Sequence, residues 1–308
     1  MTTIIGPYEV LAVQGSGGFS QVLRARHTQT STLVALKRLS LEPTISALAY
    51  REFAILRSLS HPHIVSVFNQ VVTDDQIYFV FEYCMSDMGS WIWRARDKGG
   101  VSKGLVQSWG WQLMHGLGYL HGMDIIHQDI KPHNILITNH LVLKIADLGL
   151  AKLGGVSINP YTMDVVATVP YRAPEVLLGS FSFGPEVDIW AAGCTLAELL
   201  IGHCIFNKRT PETVLEEIMI TMGHPPHNDL LEVAVQHPET RGHMYELLKY
   251  RLFKRKAWDE IIPRLNMDRK WDREFTNLLD QLLDFNGNKR PSAAMAGFHP
   301  FFSEYAEP

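Results

Sequence analysis

His127-Gln128-Asp129-Ile130-Lys131-Pro132-His133-Asn134 and, after a short apolar run, Asp147-Leu148-Gly149 form the stretch on which the fold turns. Between these polar clusters, Ile135-Leu136-Ile137 and Val142-Leu143-Lys144-Ile145 read as two short strands, with Thr138-Asn139-His140 as their turn. A hairpin brings its two ends back together. Asp129, Lys131 and Asn134 precede it and Asp147 follows it, so all four are expected to converge on one site. Two acids, an amide and a lysine suit a magnesium–phosphate centre: hard oxygen ligands for the ion, one acid to orient a hydroxyl, and a cation for developing charge. Taken alone, the same residues also suit a polar surface hairpin.

At 308 residues the chain can bury a large core and is expected to form two lobes or domains. Hydrophobic residues make up 46% and charged residues 19%, which excludes a disordered chain. The formal charge of −4 carries no basic bias, so no nucleic-acid partner is expected. Cys84, Cys194 and Cys204 form neither a disulfide framework nor a zinc spacing, which fits a reducing compartment. His61, His63, His121, His127, His133 and His140 make no recognised ligand set either, and His127 reads as a structural residue holding its loop. The N-terminus has no basic start and no long apolar run, so no signal peptide is expected. The most membrane-like segment, Ile189 to Phe206, contains Glu198 and His203 and reads as a buried core helix. An intracellular protein, cytoplasmic or nuclear, with no membrane contact is the expectation.

Upstream, Tyr8 to Val13 and Leu23 to Arg26 read as strands flanking Gly15-Ser16-Gly17-Gly18-Phe19-Ser20. Glycines at such a turn let backbone N–H groups approach phosphate oxygens closely, although a glycine cluster alone is equally an ordinary hairpin turn. Val34-Ala35-Leu36-Lys37 follows. Ile45, Leu48, Ala49, Phe53, Leu56 and Leu59 then recur at helical spacing around Arg51-Glu52. Ile77 to Tyr83 is an apolar strand. Val106, Trp109, Leu113, Leu117 and Leu120 mark an amphipathic helix that delivers the chain to His127. Phe275, Leu278, Leu279, Leu282 and Leu283 mark another, ending near Gly287, while 207–271 is hard to read.

These motifs, in this order, resemble those of the eukaryotic protein kinases, whose catalytic loop reads H-R-D-L-x-x-x-N and whose metal loop reads D-F-G. Tyr171-Arg172-Ala173-Pro174-Glu175 is similar to the CMGC group, and the overall pattern looks like its cyclin-dependent kinases. The resemblance covers nearly the whole chain. It implies an α+β, two-lobed fold: a small antiparallel β-sheet lobe with one main helix over about 1–83, and a larger, mostly helical lobe over 84–308, within a single domain spanning 1–308. It implies a serine/threonine kinase that uses ATP and Mg2+, with Ser/Thr-Pro sites on protein substrates and a cyclin-like activator. Asp129 would orient the substrate hydroxyl and accept its proton, and Lys131 would stabilise the transferring phosphoryl group. Asn134 and Asp147 would hold magnesium. Lys37 would contact the α- and β-phosphates and pair with Glu52. Gly15, Ser16, Gly17 and Gly18 would cover the phosphates, and Val22, Ala35 and Leu136 would line the nucleotide pocket. Phe81 would stand behind the adenine, Glu82 and Cys84 would offer it backbone hydrogen bonds, and Asp87 would face the ribose. Glu175 would pair with Arg290, and Asp188 would tie its helix to the catalytic loop.

The departures are informative. Ser20 replaces the third glycine, Gly18-Phe19 lacks the inhibitory Thr-Tyr pair of many cyclin-dependent kinases, and Leu148 replaces phenylalanine. Gln128 stands where kinases with a phosphorylated activation loop carry arginine. With Arg51 and Lys152 as the remaining cations, the phosphate pocket lacks its central forked donor. Phosphorylation of Thr162 is therefore expected to matter little. One extra residue between Val165-Val166 and Tyr171 alters the expected proline pocket. Thr168 would hydrogen-bond near Asp129 and Lys131. Gln128 and Ser20 also fit an alternative, a catalytically weak scaffold that binds nucleotide and partners. A small-molecule kinase is a third class, opposed by Tyr171–Glu175, whose family role is peptide docking.

Overall fold

The computed structural model describes residues 3–16, 21–39, 43–74, 76–98, 100–153, 169–180, 182–242 and 253–305. The chain divides into two compact units: Met1–Asp87 with Asn134–Ala151, and Met88–His133 with Lys152–Pro308. The division is not the continuous one at 83/84 that the sequence suggests, because the hairpin after the catalytic stretch groups with the first unit.

The first unit is built on an antiparallel six-stranded sheet in the order β1-β2-β3-β4-β6-β5. Its strands are Ile4–Ile5 (β1), Tyr8–Ser16 (β2), Gln21–His27 (β3), Leu33–Arg38 (β4), Val67–Val72 (β5) and Ile77–Glu82 (β6). Strand periodicity of two separates its faces. Leu23 pairs with Leu36, and Leu36 with Val80, so these side chains share one face. With Ala25, Val34, Ile5 and Tyr8 they form a buried cluster. The alternate residues point the other way. Val22 pairs with Lys37 and Lys37 with Phe79, and Ala35 pairs with Phe81. Helix α1, Pro43–Arg57, stacks Phe53 on Phe79 at 4.4 Å between ring centroids. Strands Ser86–Asp87 (β7), Ile135–Ile137 (β9) and Leu143–Ile145 (β10) make a second, three-stranded sheet in the order β10-β9-β7.

The second unit is mostly helical. It contains α2 (Met88–Ala95), α3 (Lys103–Gly122), α4 (Pro174–Leu177), α5 (Glu186–Ile201), α6 (Pro211–Met222), α7 (His227–Gln236), α8 (Trp258–Ile261), α9 (Lys270–Leu282) and α10 (Ala293–Gly297). A two-stranded ribbon pairs Ile125–Ile126 (β8) with Lys152–Leu153 (β11). Val106, Trp109, Leu113, Leu117 and Leu120 of α3 are fully buried, as their spacing requires. Helix α5 is buried around nearly its whole circumference, which explains why its sequence is mostly apolar. It stops before the expected Phe206 because Gly202 takes a left-handed φ of 85° and caps it. Among the described residues no helix is long and apolar enough to cross a membrane.

Candidate active site

In the first unit, the face of the sheet opposite the core collects the residues expected around a nucleotide. Gly15 pairs with Val22, which puts Gly15, Val22 and Lys37 in adjacent rows beside Ala35 and Phe81. Lys37 Nζ lies 2.5 Å from Glu52 Oε2 on α1 and 6.0 Å from the centre of the Phe81 ring. Burial works against the lysine charge, but Glu52 and Asp147 outweigh it, and the Lys37 pKa is raised. The next residue back on α1, Arg51, donates from Nη2 to the Ala151 carbonyl at 2.5 Å. Two neighbouring side chains thus fasten α1 to the sheet and to the segment that follows Asp147.

The hairpin closes as its alternation requires. Leu143 pairs with Ile137, Lys144 with Leu136 and Ile145 with Ile135. Beyond the last pair, Ala146 N–H donates to the Asn134 carbonyl at 2.9 Å, so Asn134 and the residue before Asp147 meet at the open ends of the strands. Asp147 takes a left-handed backbone (φ 65°, ψ 65°), and Leu148 after it is fully buried. An apolar anchor is thereby kept without an aromatic ring. Leu136 also pairs with Asp87, which sets side by side two residues expected to line the nucleotide pocket. Glu82 accepts from Ser66 N–H at 2.7 Å and pairs with Lys144 at 2.9 Å through its side chain, and its own N–H donates to the Ser66 carbonyl. The Cys84 carbonyl accepts from Gln14 Nε2 at 3.1 Å. Burial, helped by Glu82, pushes the Cys84 thiol up to about 12, so it remains a neutral, inert wall. The side chain of Ser16, and all of Gly17, Gly18, Phe19 and Ser20, lie outside the described residues.

In the second unit, Asp129 Oδ2 and Lys131 Nζ are 2.7 Å apart. The loop that carries them is held from beneath by Asp188, near the start of α5. Its Oδ2 accepts from His127 N–H at 2.8 Å and lies 2.9 Å from His121 Nε2, and its Oδ1 accepts from Gln128 N–H at 2.8 Å. Burial alone would raise the Asp188 pKa; the hydrogen bond and charge of His121, with the charge and backbone bond of His127, lower it below the usual value. These bonds compensate a left-handed φ of 69° at Gln128, a conformation that non-glycine residues rarely take. His127 is fully buried, and its Nδ1 accepts from Asp129 N–H at 3.2 Å, which fixes the backbone beneath the acid. Lys152 is buried and directs Nζ to the Phe183 carbonyl at 3.4 Å and over the Phe183 ring. Glu175 and Arg290 pair in a forked geometry, at 2.7 and 2.9 Å. Tyr171 OH donates to Glu198 Oε2 at 2.6 Å. Thr162, Val165, Val166 and Thr168 lie outside the described residues.

The four residues expected to converge thus fall into two groups, Asn134 with Asp147 in the first unit and Asp129 with Lys131 in the second. Gln14, His121 and Glu198 were not anticipated. Each meets a partner 67 or more residues away, or, for Glu198, 27 residues away, and nothing in local spacing marks such contacts. Among the described residues no group of three or more His, Cys, Asp or Glu could hold a metal ion. Asn134 and Asp147 instead offer one amide and one carboxylate, hard oxygen donors of the kind magnesium takes when phosphate oxygens and water complete its shell. A family model described as the protein kinase domain matches residues 8–302. With that match spanning all but the ends of the chain, and with the strand lysine paired to its helix glutamate, the chain belongs to the protein kinase family and has its two-lobed fold.

Proposed function

We propose that this kinase transfers the γ-phosphoryl group of Mg-ATP to Ser/Thr hydroxyls of proteins, favours sites followed by proline, and belongs to the cyclin-dependent-kinase-like branch. The observation that carries the reading is the 2.5 Å Lys37–Glu52 pair, with Asp147 acting on the same lysine. It sets a cation where ATP phosphates would lie along the sheet face of Val22, Ala35 and Phe81. Asn134 and Asp147 would hold Mg2+, which supplies charge neutralisation on the phosphate oxygens when bound. Asp129 orients the attacking hydroxyl and accepts its proton, and Lys131 stands beside it to meet charge on the transferring group. Lys131-Pro132 is the pair that serine/threonine kinases use, and Tyr171, Arg172 and Ala173 line a small crevice together with Asp129, which sets the segment expected to dock peptide beside the expected base. The whole chain is read as one kinase domain, intracellular, with a cyclin-like protein on α1 as the activator.

The regulation proposed here departs from the group. Arg51 is engaged with Ala151, Lys152 with Phe183, and the buried Gln128 Nε2 has no partner among the described residues. Lys152 is buried against Phe183 and Gln128 carries no charge, which leaves the exposed Arg51 as the one cation of the three with donors to spare, so Thr162→Ala is expected to leave turnover nearly unchanged. Loss of activity in a folded Thr162→Ala protein would refute that part. The test of the whole is transfer of labelled phosphate from Mg-ATP to paired Ser-Pro and Ser-Ala peptides, alone and with candidate cyclins, with Asp147→Asn as the blank. Transfer to the Ser-Pro peptide that disappears in the blank is the expected result. ATP binding without transfer under any condition would overturn it.

A further inference from the structure

Strand β2 carries a β-bulge just before its glycines. Val13 pairs with Leu23 and Gly15 with Val22, so β2 advances two residues while β3 advances one, and Gln14 is the extra residue. A bulge leaves that residue outside the ladder and re-aims its side chain. The exposed Gln14 sends Nε2 to the Cys84 carbonyl at 3.1 Å and to the Met85 carbonyl at 3.4 Å, 70 and 71 residues on. In the sheet, β2 and β6 lie three places apart, so among the described residues no ladder bond joins the end of β2 to the segment that follows β6. The Gln14 amide makes that connection.

Both ends of the connection border the expected nucleotide pocket. Beyond Gln14, Gly15 stands in the row of Val22 and Lys37. At the other end Cys84 is buried, and Met85 N–H donates to the Ile137 carbonyl at 3.0 Å, next to the Asp87–Leu136 pair. The segment 84–87 is thus fixed from the hairpin side, and its two carbonyl oxygens meet one donor group from the β2 side. A glutamine suits that place, because its NH2 has two donors, one for each carbonyl.

We infer that Gln14 is a positioning residue for ATP: it straps the end of β2 to residues 84 and 85 and so sets the width of the pocket that receives the nucleobase. The inference rests on the reading of this sheet face as an ATP site. Gln14 acts through the backbone it holds. Its effect belongs in nucleoside affinity, and not in peptide affinity or in the chemical step.

The test is binding of adenosine and of Mg-ATP to the full chain by calorimetry, with two substitutions at this exposed position. Gln14→Glu keeps the shape but turns the donor into an acceptor facing two carbonyl oxygens. Gln14→Lys keeps a donor of similar reach. Adenosine carries no charge, so it reads the strap apart from any attraction or repulsion of phosphate. Gln14→Glu is expected to weaken adenosine about tenfold, for the lost bonds and the added repulsion, while Gln14→Lys stays within about threefold of wild type. In phosphate transfer to the Ser-Pro peptide, Gln14→Glu should raise the KM for ATP about tenfold or more, with the peptide KM and kcat within about twofold. Unchanged adenosine affinity in Gln14→Glu would overturn the inference. So would equal weakening in both variants, since the donor would then not be the cause. If the wild-type chain binds neither adenosine nor ATP, the ATP-site reading fails separately, and hydrogen exchange still decides the strap. The Met85 amide should exchange faster in Gln14→Glu than in Gln14→Lys, and equal exchange would refute it.

Discussion

Lys37–Glu52 in the first unit and Arg290–Glu175 in the second are both acid–base pairs, built in opposite ways. The Lys37 side chain keeps 24% of its surface exposed and makes one close bond to Glu52. The Arg290 and Glu175 side chains are 0% and 1% exposed. Arg290 has five N–H donors. Nε donates to the Asp284 carbonyl, Nη1 to Glu175 and the Glu186 carbonyl, and Nη2 to Glu175 and the Phe285 carbonyl. Its guanidinium also lies over the Trp190 ring. An arginine with every donor engaged has nothing left for a ligand and can only hold structure. A lysine with one protein bond and an exposed flank retains donors for a phosphate. The distinction between a structural and a functional ion pair is therefore visible in donor accounting and exposure, not in the distance between the charges.

The sharpest way to break this comparison is Glu175→Ala. It strands a fully buried guanidinium, and a loss of about 3–5 kcal/mol in unfolding free energy is expected, read from urea denaturation of the purified chain. A loss below about 1 kcal/mol would mean that the five-donor arrangement is not what stabilises the second unit.

Lys37→Met should behave in the reverse sense. Unfolding should change by about 1–2 kcal/mol, since one hydrogen bond is lost and Glu52 is left largely buried. Phosphoryl transfer should fall by about 100-fold or more, the usual cost of removing a charge aimed at the transferring group. The pH dependence is fixed by the sign of the shift. A lysine whose folded pKa is raised contributes stability in full below its ordinary value of 10.5, and loses it only as pH rises through the higher folded value. Stability differences between wild type and Lys37→Met should therefore be flat between about pH 6 and 9. A slope there would show that Lys37 titrates lower than its two acidic neighbours require.

Some of this was legible in the sequence and some was not, for physical reasons. The hairpin 135–145 was legible because alternation and a polar turn are local, and closing it necessarily brings Asn134 towards Asp147. Helix α1 was legible from its apolar spacing, and Glu52 from its place on that helix. Strand β5 was not, since most of its residues are exposed on an edge and do not alternate. Helix α6 carries a local start signal within the otherwise unreadable 207–271: Thr210 accepts from Thr213 N–H, Thr213 bonds back to Thr210 N–H, and Pro211 occupies the first turn. The left-handed Gln128 was hidden because the bonds that stabilise it come from Asp188, 60 residues on. The split of the four expected site residues between two compact units follows from packing, which no spacing records.

The smallest expected effect sharpens the comparison most, because it separates charge pairing from burial. Arg26 and Glu9 lie on paired strands of the first sheet, 2.9 Å apart, with 46% and 32% of their side chains exposed. Their distance equals the longer of the two Arg290–Glu175 bonds. If the distance between charges governed stability, the three pairs would contribute comparably. Water screens this one and competes for every donor, so a double-mutant cycle of Arg26→Ala and Glu9→Ala should give a coupling of only about 0.2–0.5 kcal/mol that shrinks further in added salt. A coupling above about 1 kcal/mol, insensitive to salt, would show that the open face of the sheet is far less polarisable than its exposure implies. The Lys37–Glu52 pair on the same sheet would then have to be counted as structural support as well as a phosphate contact.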